Sequence, residues 1–372
     1  MIIKKGREAR MQAPIPERFK ISHFMVAYVI VAMQIGIGVL GYQRVIAKAA
    51  GYDAWISILI AGVWIHIIIW VIYKICEAID GDVMTANVYA FGKVIGNSIN
   101  TLFIFYFILT GVSVLGGLVE VIRTWVFLNL NPFYFTLVYL LLGIYIVYGG
   151  FRTVVGISFL GLAIPAYLLF SFGFAIKYGD FTNLLPVLDH SPIQLLKGAY
   201  SMSLSFLGFE VLLFFYPYIK KPKKSKKWVH IGVLTTTLIY TALAIISFAY
   251  FPSGLLNKSI WATLEMWKIV RLPIVERFEY LGIANWTLII LPNVAISLWC
   301  ASRILKRVFH VTQRKGVLFI AAACLILVLQ IDSRERMNLL FDINSKVGFA
   351  LAFIYPFFLY LSLLIAKKVK AK

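Results

Sequence analysis

Stretches of about 20 apolar residues, nearly free of charge, recur along this chain; each is long enough to cross the hydrocarbon core of a bilayer. In that medium the backbone must satisfy its own hydrogen bonds, which leaves helices or a closed barrel. Barrel strands would be near 10 residues with alternating faces, and the chain has no such alternation. The reading is an all-α, polytopic membrane protein. With 61% of its 372 residues hydrophobic and 14% charged, a soluble fold of this size has no interior large enough to hide the apolar surface.

Ten transmembrane helices are expected, near residues 23–47, 55–76, 99–121, 133–149, 153–176, 199–219, 229–251, 281–302, 317–331 and 347–366. The fourth and ninth are short. Charge sets the orientation. With the N-terminus inside, the inner segments carry 24 of the 36 basic residues. They carry only five acids: Glu8, Glu17, Glu77, Asp80 and Asp82. Both termini are therefore expected inside. The N-terminal segment is basic, and the apolar run after it reads as a retained span rather than a cleaved signal. The formal charge of +20 raises nucleic acid as a partner, but the cations sit at the ends of apolar runs, where anionic lipid accounts for them. Lys220–Lys227 is the most cationic stretch and reads as an inner membrane-surface anchor. Thr85 through Val94 reads as a short interfacial helix ending before Gly96 and Asn97, and residues 332–346 as a polar outer cap. In the outer connection 252–280, Ile260, Leu264, Trp267 and Ile269 place one apolar face on the membrane or on the bundle. Trp125, Trp228, Trp261 and Trp267 are expected in interfacial belts.

Two of the spans are defective. Gln34-Ile35-Gly36-Ile37-Gly38 interrupts the first, and Ser205-Phe206-Leu207-Gly208-Phe209-Glu210 the sixth. Each begins a block of five spans, and an odd count inverts the second block against the first. This is the layout of a single membrane domain, 1–372, built from repeats 23–176 and 199–366 with helices 1 and 6 broken around a central ligand site. Gly36 and Gly38 leave backbone uncovered for a ligand; close helix packing through small residues competes with that reading. Glu210 is expensive at mid-depth unless paired, protonated or facing water. It binds a ligand ammonium, carries a proton, or locks a neighbouring helix. Phe206, Leu207 and Phe209 flank the break. Glu120, followed by Arg123, is either a local charge pair or a gate. Asn285 and Asn293 are either cavity polarity or helix capping around Pro292.

Nothing in the sequence points to an enzyme. His23, His66, His190, His230 and His310 are scattered without metal spacing, and no phosphate loop or nucleophile elbow occurs. Cys76, Cys300 and Cys324 read as packing residues. No cofactor or metal is expected.

Several segments, in order, resemble the B subunit of bacterial spore germinant receptors, within the amino acid/polyamine/organocation transporter superfamily. They are Ile21 through Gly38, Ala49 through Ile56, Asn183-Leu184-Leu185-Pro186-Val187, Phe206 through Glu210 with Pro217, and Glu276-Arg277-Phe278-Glu279. The resemblance covers almost the whole chain. It implies a LeuT-like 5+5 inverted repeat and residence in the spore inner membrane. It implies partnership with a membrane A subunit and a lipoprotein C subunit, and sensing of a small nutrient, commonly an amino acid. Gly36 and Gly38 match the unwound part of helix one. Gly208 and Glu210 match the glycine–acid feature of helix six, with Phe206, Leu207 and Phe209 in its pocket neighbourhood. Relatives are expected to carry aspartate where this chain has Glu279, so its pairing with Arg277 has a different reach. A stand-alone amino acid transporter and a purely structural anchor are the competing readings.

Overall fold

The computed structural model describes residues 15–273 and 275–371. The basic residues Lys4, Lys5, Arg7 and Arg10, with Glu8 and Lys372, lie outside the described residues. The rest is helical: α1 Met25–Gln34, α2 Tyr42–Ala50, α3 Ala54–Ile79, α4 Val83–Trp125, α5 Pro132–Tyr148, α6 Phe151–Ala163, α7 Pro192–Phe206, α8 Pro222–Tyr250, α9 Phe278–Val308, α10 Gln313–Leu329, α11 Arg334–Gly348 and α12 Tyr355–Ala371, with short helical turns between them.

Local chemistry explains the ends. Asp82 accepts the Thr85 backbone N–H at the start of α4. Asn131 caps α5, where Pro132 supplies a first residue that needs no donor. Ser191 and Gln194 close a reciprocal capping box at α7.

Among the described residues, six stretches are long and apolar enough to cross a membrane: Tyr42–Ile79, Val83–Trp125, Phe151–Lys177, Pro222–Tyr250, Phe278–Val308 and Arg334–Lys370. Pro192–Phe206 with Phe209–Tyr218 makes a seventh if the bent pair is one span; its arms differ by 55°. The remaining expected spans fall on shorter helices. α1 has 10 residues, because its run is interrupted. α5 and α10 have 17 each, or about 25 Å at the α-helical rise.

α9 and α4 form the centre of the bundle: 89% and 78% of their apolar windows are buried, against 28% for Arg334–Lys370 at the periphery. The outward faces are apolar too, with Val63, Trp64, Ile67 and Trp70 of α3 exposed. Apolar on both sides is the pattern of a helix whose solvent is lipid.

Four features differ from expectation. α8 begins at Pro222, so most of the cationic stretch is the first turns of a helix rather than a loop; Pro222 at its first position starts it. α11 begins at Arg334, capped by Ser333, so the polar outer cap is helix. It runs through a π-helical segment, Phe349–Ile354, into α12. The segment after Asp82 breaks at Gly92, whose φ of 81° only glycine adopts readily, and not at Gly96. There the chain folds back: Asn87 donates to Asn100 at 2.8 Å and Tyr355 donates to Asn87 at 2.6 Å. Finally, Trp267 and Trp261 are not belt residues. Trp267 is fully buried and donates to Ser171 at 2.9 Å, and Trp261 is 7% exposed. Leu264 is buried with them, so the outer connection lies on the bundle.

Candidate functional site: a cavity between two helix breaks

α1 stops at Gln34. Ile35 and Gly36 leave helical geometry, and a short 3₁₀ turn, Ile37–Leu40, leads to α2. α7 stops at Phe206. Gly208 sits at φ 124°, and the 3₁₀ turn Phe209–Val211 follows. A β-carbon on Gly208 would come within 2.6 Å of the Met33 Cβ. The glycine is thus required twice, by its backbone angle and by the approach of the first break.

The two breaks brace one another. Gln34 Nε2 donates to the Phe206 carbonyl at 3.0 Å. The Tyr240 hydroxyl of α8 lies 2.9 Å from the Gln34 carbonyl and 3.0 Å from that of Ser205, so one hydroxyl serves a freed carbonyl from each break. Asn293 of α9 donates to the Ala32 carbonyl at 2.8 Å. Thr263 donates to the Val39 carbonyl at 2.7 Å. Backbone groups that leave a helix in hydrocarbon need such partners, and these side chains supply them.

Between the breaks lies a cavity of about 140 Å³. Gly36, Gly38, Leu207, Gly208 and Asn293 line it, together with Gln34, Arg44, Ser113, Ser205 and Arg334. The structure therefore brings together four of the expected ligand-site positions and one of the expected polar ones. Three others stand behind its wall. Phe206 is fully buried edge-on to Tyr240, and Phe209 is fully buried edge-on to Phe353 of the π-helical segment. Glu210 is fully buried: its Oε1 accepts the Tyr106 hydroxyl and its Oε2 the Gly208 N–H, both at 2.7 Å. This carboxylate ties the second break to α4.

Glu120 does not pair with its neighbour Arg123. It receives both hydrogen bonds from Arg334 Nη1, at 2.7 and 2.9 Å, and Arg334 stacks 5.3 Å over Trp261. The pair joins α4 to α11 where Arg334 meets the cavity. Asn285 lies off the cavity, donating to Tyr167 at 2.8 Å. Arg277 and Glu279 do pair, at 2.8 Å.

Residues that sequence reasoning missed include Gln34, Arg44, Ser113 and Arg334. Gln34 was visible as a polar residue beside the glycines; the others needed the fold.

A buried ion cluster ties the start of α4 to the last turns of α9. Buried Asp82 receives Arg303 at 2.9 Å and Arg307 at 2.7 Å. Burial acts to raise the Asp82 carboxyl, but Arg303, Arg307 and two Thr85 hydrogen bonds outweigh it and hold its pKa below the usual value. Tyr218 accepts a hydrogen bond from Arg303, and its backbone pairs with Ile21. Cys76, Cys300 and Cys324 are buried thiols, and among the described residues no three His, Cys, Asp or Glu side chains are grouped to hold a metal.

Comparison with known proteins gives two results. The model of the family "Spore germination protein" matches residues 20–337. Spore germination protein GerQB of Bacillus cereus is 39% identical over 92% of this chain and 95% of its own length. Spore germination protein A2 of Bacillus subtilis is 24% identical over 95% and 98%. Among solved structures, a Na⁺-coupled sialic acid symporter in a substrate-bound outward-open state superposes with a TM-score of 0.67 at 12% identity, over 98% of this chain and 93% of that one. MhsT in complex with L-phenylalanine superposes at 0.65 with 14% identity, over 92% and 95%. At such identities the likeness concerns fold alone, an all-α architecture of the LeuT type.

Proposed function

The chain belongs to the spore germination protein family, and from that premise we propose that it is the nutrient-sensing subunit of a spore germinant receptor. It binds a small nutrient, such as an amino acid, in the cavity between the two helix breaks. The observation that carries this reading is that cavity itself: two interruptions more than 150 residues apart in sequence converge on one space into which polar side chains project inside an apolar bundle.

Within this reading the fold is ten spans, arranged as inverted repeats 23–176 and 199–366. Both termini lie on the core side of the spore inner membrane. Gly36, Gly38, Leu207 and Gly208 present backbone to the ligand, while Phe206, Phe209 and Glu210 hold the second break in place. The Glu120–Arg334 pair is the gate on the outer side. The Asp82 cluster holds the core side shut in the arrangement described here. The ligand binds one arrangement of the bundle more tightly than the other, and that difference is the free energy available as a signal. The A and C subunits receive it. No covalent step is needed, and membership of a family without catalytic motifs is in keeping with that.

Structures of the native assembly with and without L-alanine test the site; ligand density away from the breaks would remove it. A second reading is a self-sufficient transporter, whose fold would be the same and whose output would be net substrate flux. Proteoliposomes holding this chain alone separate the two. Saturable accumulation driven by a proton or sodium gradient supports the transporter; ligand binding without flux supports the receptor.

A further inference from the structure

Among the described residues that line the central cavity there is no aspartate or glutamate, and the charged ones are Arg44 and Arg334. Arg334 is already satisfied by both oxygens of Glu120 and by the face of Trp261. Arg44 is different. It is half-buried on α2, its Nε is shielded from solvent without a hydrogen-bond partner, and among the described residues it forms no ion pair with a carboxylate. A guanidinium carries five donors and cannot shed its charge. Holding one partly desolvated and unpaired is costly, and an arriving anion removes that cost.

Another part of the lining has the reverse polarity. Gln34 is 1% exposed, and its Nε2 is committed to the Phe206 carbonyl. That contact fixes the amide orientation, because the flipped amide would set oxygen against oxygen. Gln34 Oε1 is then a buried acceptor without a donor. The Ser113 hydroxyl, also lining the cavity, is unpartnered as well. One run of chain thus carries an unfilled acceptor at the break and an unfilled cation ten residues beyond it.

Resting on the central-site reading above, we propose that Arg44 is the residue that selects the ligand class: a small molecule with a carboxylate, which docks on Arg44 while a donor group at its other end reaches Gln34. Amino acids fit this polarity. Neutral sugars and nucleosides do not, since they would leave the Arg44 charge unpaired. The selectivity arises from an unsatisfied group in the empty site, the arrangement that rejects ligands lacking the complementary group most strongly.

The test uses full-length protein in nanodiscs, with thermal unfolding and equilibrium binding of L-alanine, L-valine, L-glutamate, their carboxamide counterparts, ribose and uridine. A carboxylate probe is expected to bind the wild type at least about tenfold more tightly than its carboxamide, the effect of one charge-assisted hydrogen bond or more. Arg44→Gln should lose that preference and weaken the carboxylate probe by about 10- to 100-fold. Arg44→Lys should recover part of it. Because Arg44 has no hydrogen-bond or ion-pair partner to lose among the described residues, Arg44→Gln should not lower the ligand-free midpoint, which separates recognition from a structural role. Ser201→Trp, which fills the cavity, should abolish binding. Undiminished carboxylate binding by Arg44→Gln overturns the proposal. So does a wild type that binds only neutral probes, and if Ser201→Trp abolishes that binding the central site itself stands. Carboxylate binding untouched by Ser201→Trp, or no binding of any probe, overturns both the proposal and the central-site reading.

Discussion

Removing the Glu210 carboxylate should destabilise the second break by an amount set by the two donors it leaves behind. The Tyr106 hydroxyl and the Gly208 N–H each donate to it at 2.7 Å, and neither reaches water. A buried donor without a partner costs about 1–3 kcal/mol, so Glu210→Ala should cost about 2–6 kcal/mol. Glu210→Gln should be mild, about 1 kcal/mol. Its Oε1 still accepts from Gly208, and its amide donates to the Tyr106 oxygen, whose proton turns away. Tyr106→Phe strands one carboxylate oxygen and falls between the two. The double variant Glu210→Ala/Tyr106→Phe leaves only the Gly208 N–H unpaired. Its cost should therefore fall short of the summed single costs by about 1–3 kcal/mol. The assay is denaturant unfolding of the four variants in the same nanodisc, closed as a thermodynamic cycle. Additive costs, or Glu210→Ala as benign as Glu210→Gln, would refute the view that this carboxylate acts as a brace. Since Glu210 lies behind the cavity wall, ligand affinity in Glu210→Gln should stay within about threefold of the wild type, under 1 kcal/mol.

Gly208→Ala should cost about 2–5 kcal/mol, from a backbone angle of φ 124° and a β-carbon 2.6 Å from Met33. Gly173→Ala, where a β-carbon meets nothing within 4 Å, is its control, and comparable unfolding midpoints for the two would contradict the packing argument. Asp82→Asn should cost about 3–5 kcal/mol, because it removes the buried negative charge to which Arg303 and Arg307 both donate. The Asp82 pKa is lowered in the fold, so its contribution is full above the unfolded value near 3.9 and is lost as pH falls through the folded value. Wild-type stability should accordingly drop in that acid range, and a pH series on Asp82→Asn should lack that part of the drop. Glu120→Gln should free Arg334 and speed labelling of a cysteine placed at Ser113 by a membrane-impermeant thiol reagent, with an unchanged rate counting against Glu120 as a gate.

Much of the architecture was legible because the bilayer imposes one rule on every segment. Apolar length identified most of the helical stretches, and glycine beside a polar residue marked both breaks. Boundaries were less legible. α8 and α11 extend well into polar sequence, since a helix start is set by local signals, Pro222 at the first position of one and the Ser333 cap of the other, rather than by hydropathy. Gly92 rather than Gly96 makes the turn after Asp82, because sterically Gly96 serves to admit the Asn87 backbone.

By itself the sequence determined that this is an all-helical membrane protein, that two of its apolar runs are interrupted by glycines beside polar residues, and that a carboxylate lies in the second of them. Those facts follow from the one-dimensional placement of apolar, small and charged residues. Only the tertiary structure decided what faces what. Glu210 turns to Tyr106 and Gly208 instead of the cavity, Glu120 reaches past Arg123 to Arg334, and Arg44 is left unpaired beside the two breaks. Partners more than a hundred residues apart are chosen by packing, and periodicity along a chain carries no record of which helix comes to lie beside it.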